Sequence, residues 1–581
     1  MAKKLVRTAG HRLKRHTISI LTVFRQRRAA VQLAVCVLLA ACIILFLDNR
    51  YRVLPNAIHN HLPAPHAHGY VTTDIKIITC NKLNVFNKCA LEGPNWHRIN
   101  KDLYLDSSYT STAYLYVERK KEDDLQPHEQ VIADIRIGRL QPSTIDAKGS
   151  KDSRWESRPF GLWLMITTKH PSADELVTGV DVLFGADAAD PRSNWQVQDL
   201  GLFIDSKAPE PRITFRRGRP LQLEKPIPRI RKDGKFKILQ VSDMHLSTGL
   251  GVCRDVPSTD IGAAHCDADP RTLDFVERMI EDEKPDFVVL TGDQVNGDTS
   301  PDAQSAIYKY SALFARHRLP HAAIFGNHDD EGSLTREQTM ALIDGLPFSL
   351  STAGPSDVDG VGNYHVEILG RGTTTHSALT LYMLDSHSYS KDEKKYPGYD
   401  YIHPNQVSWF INTSNGLKRK HREYTHIHMD LAFIHIPLPE YRNPHKLPVV
   451  GNWTENPTAP VYNSGFLDAL ISQNVLVVSC GHDHVNDYCV PGVPTQASAQ
   501  ASEHVTSDPS HPAIWMCYGG GVGFGGYGRS AYYHRRLRVL EMDMNEARIT
   551  SWTRLECCGE EVTSKRWDET ILVDGGQVVV Y

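Results

Sequence analysis

No two of the eleven cysteines stand in C-x-x-C spacing, which excludes a zinc ribbon built from them. The first 28 residues contain no acid, although they carry nine Lys or Arg (KK, R, RLKR, RQRR). Positions 29–47 (AAVQLAVCVLLAACIILFL) contain no charge of either sign. Taking those nine from the 64 basic residues, against 68 acidic ones, leaves −13 on the rest of the chain where the whole shows −4. A body of that sign repels polyanions, so no nucleic-acid partner is expected. No A-x-A cleavage site follows the apolar run, which is also long for a signal sequence.

Nineteen uncharged positions come close to the roughly 20 that cross a bilayer, and the basic flank assigns their amino-terminal side to the cytosol. The expectation is a single-pass type II membrane protein. A basic cytosolic tail spans 1–28, a transmembrane anchor 29–47 and a Pro- and His-rich stalk 48–69. The remainder is then lumenal or extracellular, in the secretory pathway or a vacuole. Sequons at Asn412 and Asn452 fit that side of a membrane, where a glycoprotein with disulfides is expected. Cys80 with Cys89, Cys253 with Cys266 and Cys489 with Cys517 are candidate pairs, the connectivity being open.

A chain of 581 residues with 41% apolar content exceeds one hydrophobic core. Residues 70–231 alternate in short runs (DIKII, TAYLYV, QVIADIRI, FGLWLMITT, VDVLFG, LGLFID) separated by turn formers, which predicts an all-β module, read as a sandwich. It holds no catalytic constellation, and its partner is unknown. RRGRP and PIPRIRKDG read as a basic linker. Residues 232–556 alternate strand and helix, which implies parallel pairing, two mixed sheets face to face and helices outside. Asp269-Pro270 is read as N-cap and first position of a helix ending at Glu283. Residues 557–581 form a C-terminal extension.

Chemistry gathers at strand ends. FKILQVSDMH, DFVVLTGDQVNG and HAAIFGNHDD each run an apolar strand into a polar cluster: Asp243 and His245, then Asp293, then Asn327 and His328. LAFI leads to His435, and NVLVVSCG to His482 and His484. In an open α/β sheet, sites form outside the carboxyl ends of strands, so these ends can serve one pocket. Carboxylate, imidazole and amide oxygen suit Fe, Mn or Zn better than Cu(I).

The ordered series Asp-x-His, Gly-Asp, Gly-Asn-His-Asp, His and Gly-His-x-His, from Asp243 to His484, resembles the calcineurin-like metallophosphoesterases. It is similar in particular to fungal membrane-anchored phosphatases of the cell-cycle dosage-regulator type and to plant purple-acid-phosphatase-like proteins without the tyrosine ligand. The resemblance implies an α/β/β/α sandwich with two divalent or mixed-valence metal ions. Asp243, His245 and His484 would hold the first, Asn327, His435 and His482 the second, and Asp293 would bridge them. It implies a phosphatase for phosphomonoesters, phosphoproteins among them, in which a hydroxide between the ions attacks phosphorus and His328 is the general acid. Two alternatives stay open: a phosphodiesterase for nucleotides or lipid headgroups, and an inactive membrane scaffold. Asn296 departs from the pattern, because some members place an Asp there to orient the histidine; Asp329 is the candidate substitute. Gly523-x-Gly525-x-x-Gly528 is read as a flexible loop near the metals, since no βαβ unit follows it. Asp385 and His387 are read as structural. Arg254 and Arg529 are candidate phosphate clamps, with surface salt-bridging the equal alternative.

Overall fold

The computed structural model describes residues 69–579 apart from 84–88, 92, 143–152, 170–172, 222–223, 257–265, 443–448, 495–513, 529–532 and 557–563, together with Gln32, Val35 and Leu39. The basic tail, nearly all of the 29–47 run and of the stalk, and Arg529 lie outside the described residues. Among the described residues no helix is long and apolar enough to cross a membrane, so the expected single-pass type II topology is not supported. All three candidate disulfides are present: Cys80–Cys89, Cys253–Cys266 and Cys489–Cys517.

The β module is not a sandwich. β1 (Tyr70–Asn81), β2 (Trp96–Arg98) and β3 (Ser111–Lys121) form one antiparallel sheet; β4 (Val131–Ile137), β5 (Ser153–Ser157) and β6 (Leu162–Thr167) form a second; β7 (Val177–Phe184), β8 (Trp195–Val197) and β9 (Pro211–Arg217) form a third. In each, the last strand lies between the other two. The three sheets enclose one core that includes Ile75, Leu115, Ile135, Leu164, Val182 and Phe215. Alternation along a strand marks one buried face but does not say how many sheets share the core, and the sandwich expectation failed there.

An internal repeat underlies this shape. Asp-Ile-Lys-Ile at 74–77, Asp-Ile-Arg-Ile at 134–137 and Asp-Val-Leu-Phe at 181–184 occupy equivalent strands, and each middle-of-unit strand carries a tryptophan: Trp96, Trp155 and Trp195. Each strand slips register shortly before its aspartate, the local signature of a bulge. Each carboxylate then accepts the following backbone N–H, that of Ile75 (2.8 Å), Ile135 (2.9 Å) or Val182 (2.8 Å). The units interlock head to tail. Arg158 of the second donates to Asp74 of the first at 2.9 Å, and Arg217 of the third to Asp134 of the second. Lys101 of the first closes the ring on the Val182 carbonyl of the third at 2.7 Å.

The larger domain has the expected layers. β10 (Lys235–Val241), β11 (Phe287–Thr291) and β12 (His321–Ile324) are parallel neighbours in the first sheet. β13 (Tyr364–Leu369), β14 (Ser377–Met383), β15 (Met429–Phe433), β16 (Val475–Cys480), β17 (Cys489–Gly492) and β18 (Ile514–Tyr518) make the second. β19 (Arg535–Asp543), β20 (Arg548–Glu556), β21 (Trp567–Asp574) and β22 (Gln577–Val578) return to complete the first, so residues set apart as a C-terminal extension supply its last two strands. α1 (Ala268–Glu283), α2 (Ala303–Arg316) and α3 (Arg336–Asp344) cover the first sheet, and α4 (Pro404–His421) and α5 (Phe466–Ser472) the second. Between the sheets lies a third core of Ile238, Val289, Leu381, Leu431 and Trp515 among others. Strands buried on both faces read as the continuous apolar runs seen in the sequence.

Helix α2 joins the two parts. Its N-cap Asp302 meets Lys101 at 2.9 Å, Ser305 Oγ accepts the Phe184 N–H at 2.8 Å, and Arg192 lies over Tyr308. Lys309, almost fully buried, pairs with Asp187 of the module at 2.6 Å and Asp269 at 2.7 Å, and donates to the carbonyls of Ser247 and Gly249. Asp269 therefore does not cap α1, which starts two residues earlier than expected, with Asp267 at its N-cap. Its carboxylate points inward to Lys309 and the Ser247 N–H at 2.8 Å. Removing one partner of a buried ion pair costs about 3 kcal/mol or more because the other charge stays buried. Lys309→Met is accordingly expected to lower the thermal unfolding midpoint by several degrees in scanning calorimetry, whereas an unchanged midpoint would mean that this cluster does not fasten the module.

Candidate metal centre

Five strand ends, of β10, β11, β12, β15 and β16, meet where the two sheets come together. A polar seam fixes their alignment. Gln240 of β10 donates to Thr291 Oγ1 (3.2 Å) and to the Cys480 carbonyl (3.1 Å) and accepts from Ser479 Oγ (2.6 Å), while Ser242 and Thr291 share a hydroxyl contact. Beyond the seam the chain turns sharply. Asp243, His245, Asp293 and His482 all have left-handed backbone, with φ of 58°, 48°, 50° and 78°. Non-glycine residues there cost of order 1 kcal/mol or more each and cluster at functional sites. The turns aim consecutive side chains into one volume.

All seven predicted ligand residues are brought together and buried. Asp243, His245 and His484 offer ligand atoms within 4.8 Å of one another, and so do Asp293, His435 and His482. Asn327 adds its amide oxygen 3.3 Å from His435 Nε2. Asp293 stands between the groups, 3.8 Å from His245 Nε2 and 3.2 Å from His435 Nε2. His484 donates from Nδ1 to the Tyr527 carbonyl (3.0 Å), and His435 from Nδ1 to the Thr291 carbonyl (2.8 Å). Both Nε2 atoms then face the pocket. There His484 Nε2 lies 3.0 Å from His245 Nε2, and His435 Nε2 lies 3.3 Å from His482 Nδ1. Among the described residues, His482 Nε2 and Asn327 Nδ2 have no hydrogen-bond partner.

Rings and carboxylates with ligand atoms this close to one another form a donor set for cations. Burial and the neighbouring imidazoles push His245 and His482 well below the ordinary imidazole range, so both are neutral ligands. His435 moves the other way, to about 9, because the Asp293 carboxylate outweighs burial. The donor set fits a pair of borderline cations. A third group, His421, His428 and Asp430, differs. His428 donates from Nδ1 to the Ser377 carbonyl, and its Nε2 and that of His421 both meet Thr380 Oγ1, so that cluster is satisfied by hydrogen bonds.

His328 is placed beside the donors. Its N–H donates to Asp293 Oδ1 at 2.8 Å, and its ring stands edge-on to His245 at 5.4 Å. The expected substitute for the missing aspartate is not Asp329. That carboxylate accepts the backbone N–H groups of Asp293, Val295 and Gly326 at 2.7–3.0 Å and braces two ligand loops. Glu331 takes the orienting position, its Oε2 2.6 Å from His328 Nδ1. Burial works against charge on His328, but Asp293 and Glu331 hold it above its ordinary value. Glu331 is three residues beyond His328 in the GNHDDE run, and that spacing was the available signal. Ser386 was also missed; its hydroxyl accepts the N–H groups of His435 (3.2 Å) and Ile436 (2.8 Å). Asp385 is structural, accepting from Arg336 at 2.8 Å, and His387 meets Gln406 at 2.8 Å.

The glycine-rich run lies against the ligand loops. Val522 and Gly523 donate to the carbonyls of Ser242 and Asp243 at 3.0 Å each, and Gly521 to that of His484 at 2.8 Å. It is a packed brace, and no dinucleotide fold surrounds it.

A family model for calcineurin-like phosphoesterases matches residues 236–486, a span that contains every one of these donors. The chain belongs to that family. Among its relatives is phosphatase DCR2 of Saccharomyces cerevisiae, 37% identical over 504 residues, which cover 82% of this chain and 81% of that one. Another is a "probable inactive purple acid phosphatase 29" of Arabidopsis thaliana, 37% identical over 334 residues, 55% of this chain and 80% of that one. A solved purple acid phosphatase from yellow lupin is 10% identical with a TM-score of 0.37, covering 67% of this chain and 70% of that one. As a calcineurin-like phosphoesterase the chain carries the family's hydrolase domain beside a separate all-β region.

A β-carbon at Gly523 would overlap the carbonyl group of Met244, between Asp243 and His245. Gly523→Ala should therefore displace that loop. We expect about tenfold weaker metal retention on dialysis, the order of effect seen when groups behind metal ligands are lost, with an unchanged far-ultraviolet spectrum. Full retention would show that the run does not support the centre.

Proposed function

We propose that this chain is a metal-dependent phosphatase of phosphomonoesters, phosphoproteins among them. Asp243, His245 and His484 hold one ion, Asn327, His435 and His482 a second, and Asp293 both. The two buried imidazole contacts at 3.0 and 3.3 Å, ring nitrogen to ring nitrogen beside Asp243 and Asp293, are the observation that carries the reading. When bound, two such ions lower the pKa of a water and neutralise charge growing on a phosphoryl group.

The chain's own residues do the rest. His328, half-buried at the pocket, holds a proton on its ring for the departing ester oxygen. Glu331 fixes which ring nitrogen faces the substrate and stabilises the charged ring until the proton leaves. The brace from Asp329 keeps Asp293 and the Gly326 loop in place while charge redistributes. Arg254 lines the same cavity as His328 and suits a phosphate oxygen. The inactive label belongs to the plant relative; retention of every donor and of an oriented His328 supports turnover here.

Asp293→Asn is expected to lower the content of both metals, measured by plasma emission on purified protein. His328→Ala should keep both metals and lose about 10²–10⁴-fold in kcat, the range of a general acid; equal metal loss in the two variants would contradict this division of roles. Glu331→Gln should keep the metals and KM while lowering kcat about tenfold or more. Turnover of p-nitrophenyl phosphate exceeding that of bis(p-nitrophenyl) phosphate is the outcome that separates a monoesterase from a diesterase.

A further inference from the structure

Two cavities adjoin, sharing walls formed by Arg254 and Asn296. One, of about 400 Å³, contains His245, His328 and His482. The other, of about 470 Å³, lies between the 205–210 loop of the β module and the 247–252 loop that follows His245. A phosphate group fills only a fraction of the first, so the second is room for the rest of a substrate. Its wall is preset, because Lys309 ties Asp187 of the module to the carbonyls of Ser247 and Gly249.

The lining indicates what fits. Lys207, from the module, and Arg254 have no carboxylate within ion-pair distance among the described residues, whereas Glu210 is held by Arg212 at 2.5 Å. The net local charge is therefore positive on a body that is negative overall. Among the described residues no aromatic ring lines this cavity, so they offer a nucleobase nothing to stack on. The cavity's apolar surface comes from Ala186, Ala208, Pro209, Leu250 and the exposed Val252, mostly small side chains that do not enclose a lipid chain. An extended peptide would meet backbone groups of the 249–251 loop and two cations.

Resting on the phosphatase reading above, we propose that this second cavity is a subsite for the acidic residues that flank a phosphorylated side chain, with Lys207 of the β module meeting a substrate carboxylate. The module is then part of the substrate site, and Lys207 is a specificity-determining residue.

The test uses the metal-loaded full chain, wild type and the variants Lys207→Ala and Lys207→Glu. The substrates are p-nitrophenyl phosphate, AMP, a phosphoserine peptide flanked by glutamates and the same peptide flanked by lysines. Wild type should prefer the acidic peptide. Lys207→Ala should reduce that preference about fivefold, the scale of one partly exposed charge contact, through KM with kcat unchanged. Lys207→Glu should reverse it. Hydrolysis of p-nitrophenyl phosphate should be the same in all three proteins. An acidic-to-basic ratio unaffected by either variant, or AMP cleaved better than both peptides, would overturn the subsite. If no substrate is cleaved, the phosphatase reading has failed instead. Fluorescence anisotropy of the labelled acidic peptide then decides the subsite, weaker binding to Lys207→Glu supporting it and equal binding overturning it.

Discussion

Imidazole nitrogens held about 3 Å apart among buried side chains, beside two buried carboxylates, are the constraint on which the rest of the domain depends. Side chains from five separate strand ends do not gather of themselves, so the fold must supply the convergence. It does so with four left-handed residues, a polar seam across two sheets and the three N–H groups gathered by Asp329. Strain of ~1–3 kcal/mol per left-handed residue, about 4–12 kcal/mol over the four, is comparable to the whole net stability of a domain, whereas binding a structural-type ion releases ~10 kcal/mol. Ion binding is therefore large enough to offset the geometry.

The ligands were legible because each follows an uninterrupted apolar run, and buried parallel strands leave that mark whatever surrounds them. The disulfides were legible from closeness in sequence for two pairs; Cys489 with Cys517 was a longer-range candidate, and the two face each other across β17 and β18, which explains it. What the sequence hid were choices between neighbouring residues of the same type. Asp269 looks like a helix cap and is an interior partner of Lys309. Asp329, next to His328, looks like its orienter, but the brace it forms turns it away and leaves Glu331 to reach the ring. Chemical identity was the same in each case, and only backbone direction decided. The β module was misread for another reason: its repeat is carried by two or three residues per unit, too sparse to stand out before the strands were aligned in space.

The family assignment and the site agree on hydrolase chemistry and leave substrate choice to surroundings that vary outside the shared motifs. In this chain those surroundings include a second domain. Helix α2 contacts the module along one side and the first sheet along the other, so loops of the module are positioned with the same accuracy as the loops that carry the donors. A domain that contributes no ligand is placed to shape what approaches them.

The head-to-tail closure of the three β units carries a last implication. Because Arg158, Arg217 and Lys101 each reach a different neighbour, the ring has no terminal member, and the covalent order of the units matters less than their number. A gene rearrangement that began the module at its second or third unit would preserve every cross-unit contact, whereas deletion of any one unit would leave two mismatched edges. Growth or loss by whole repeats, the usual route by which repeat proteins diversify, is thus closed to this module.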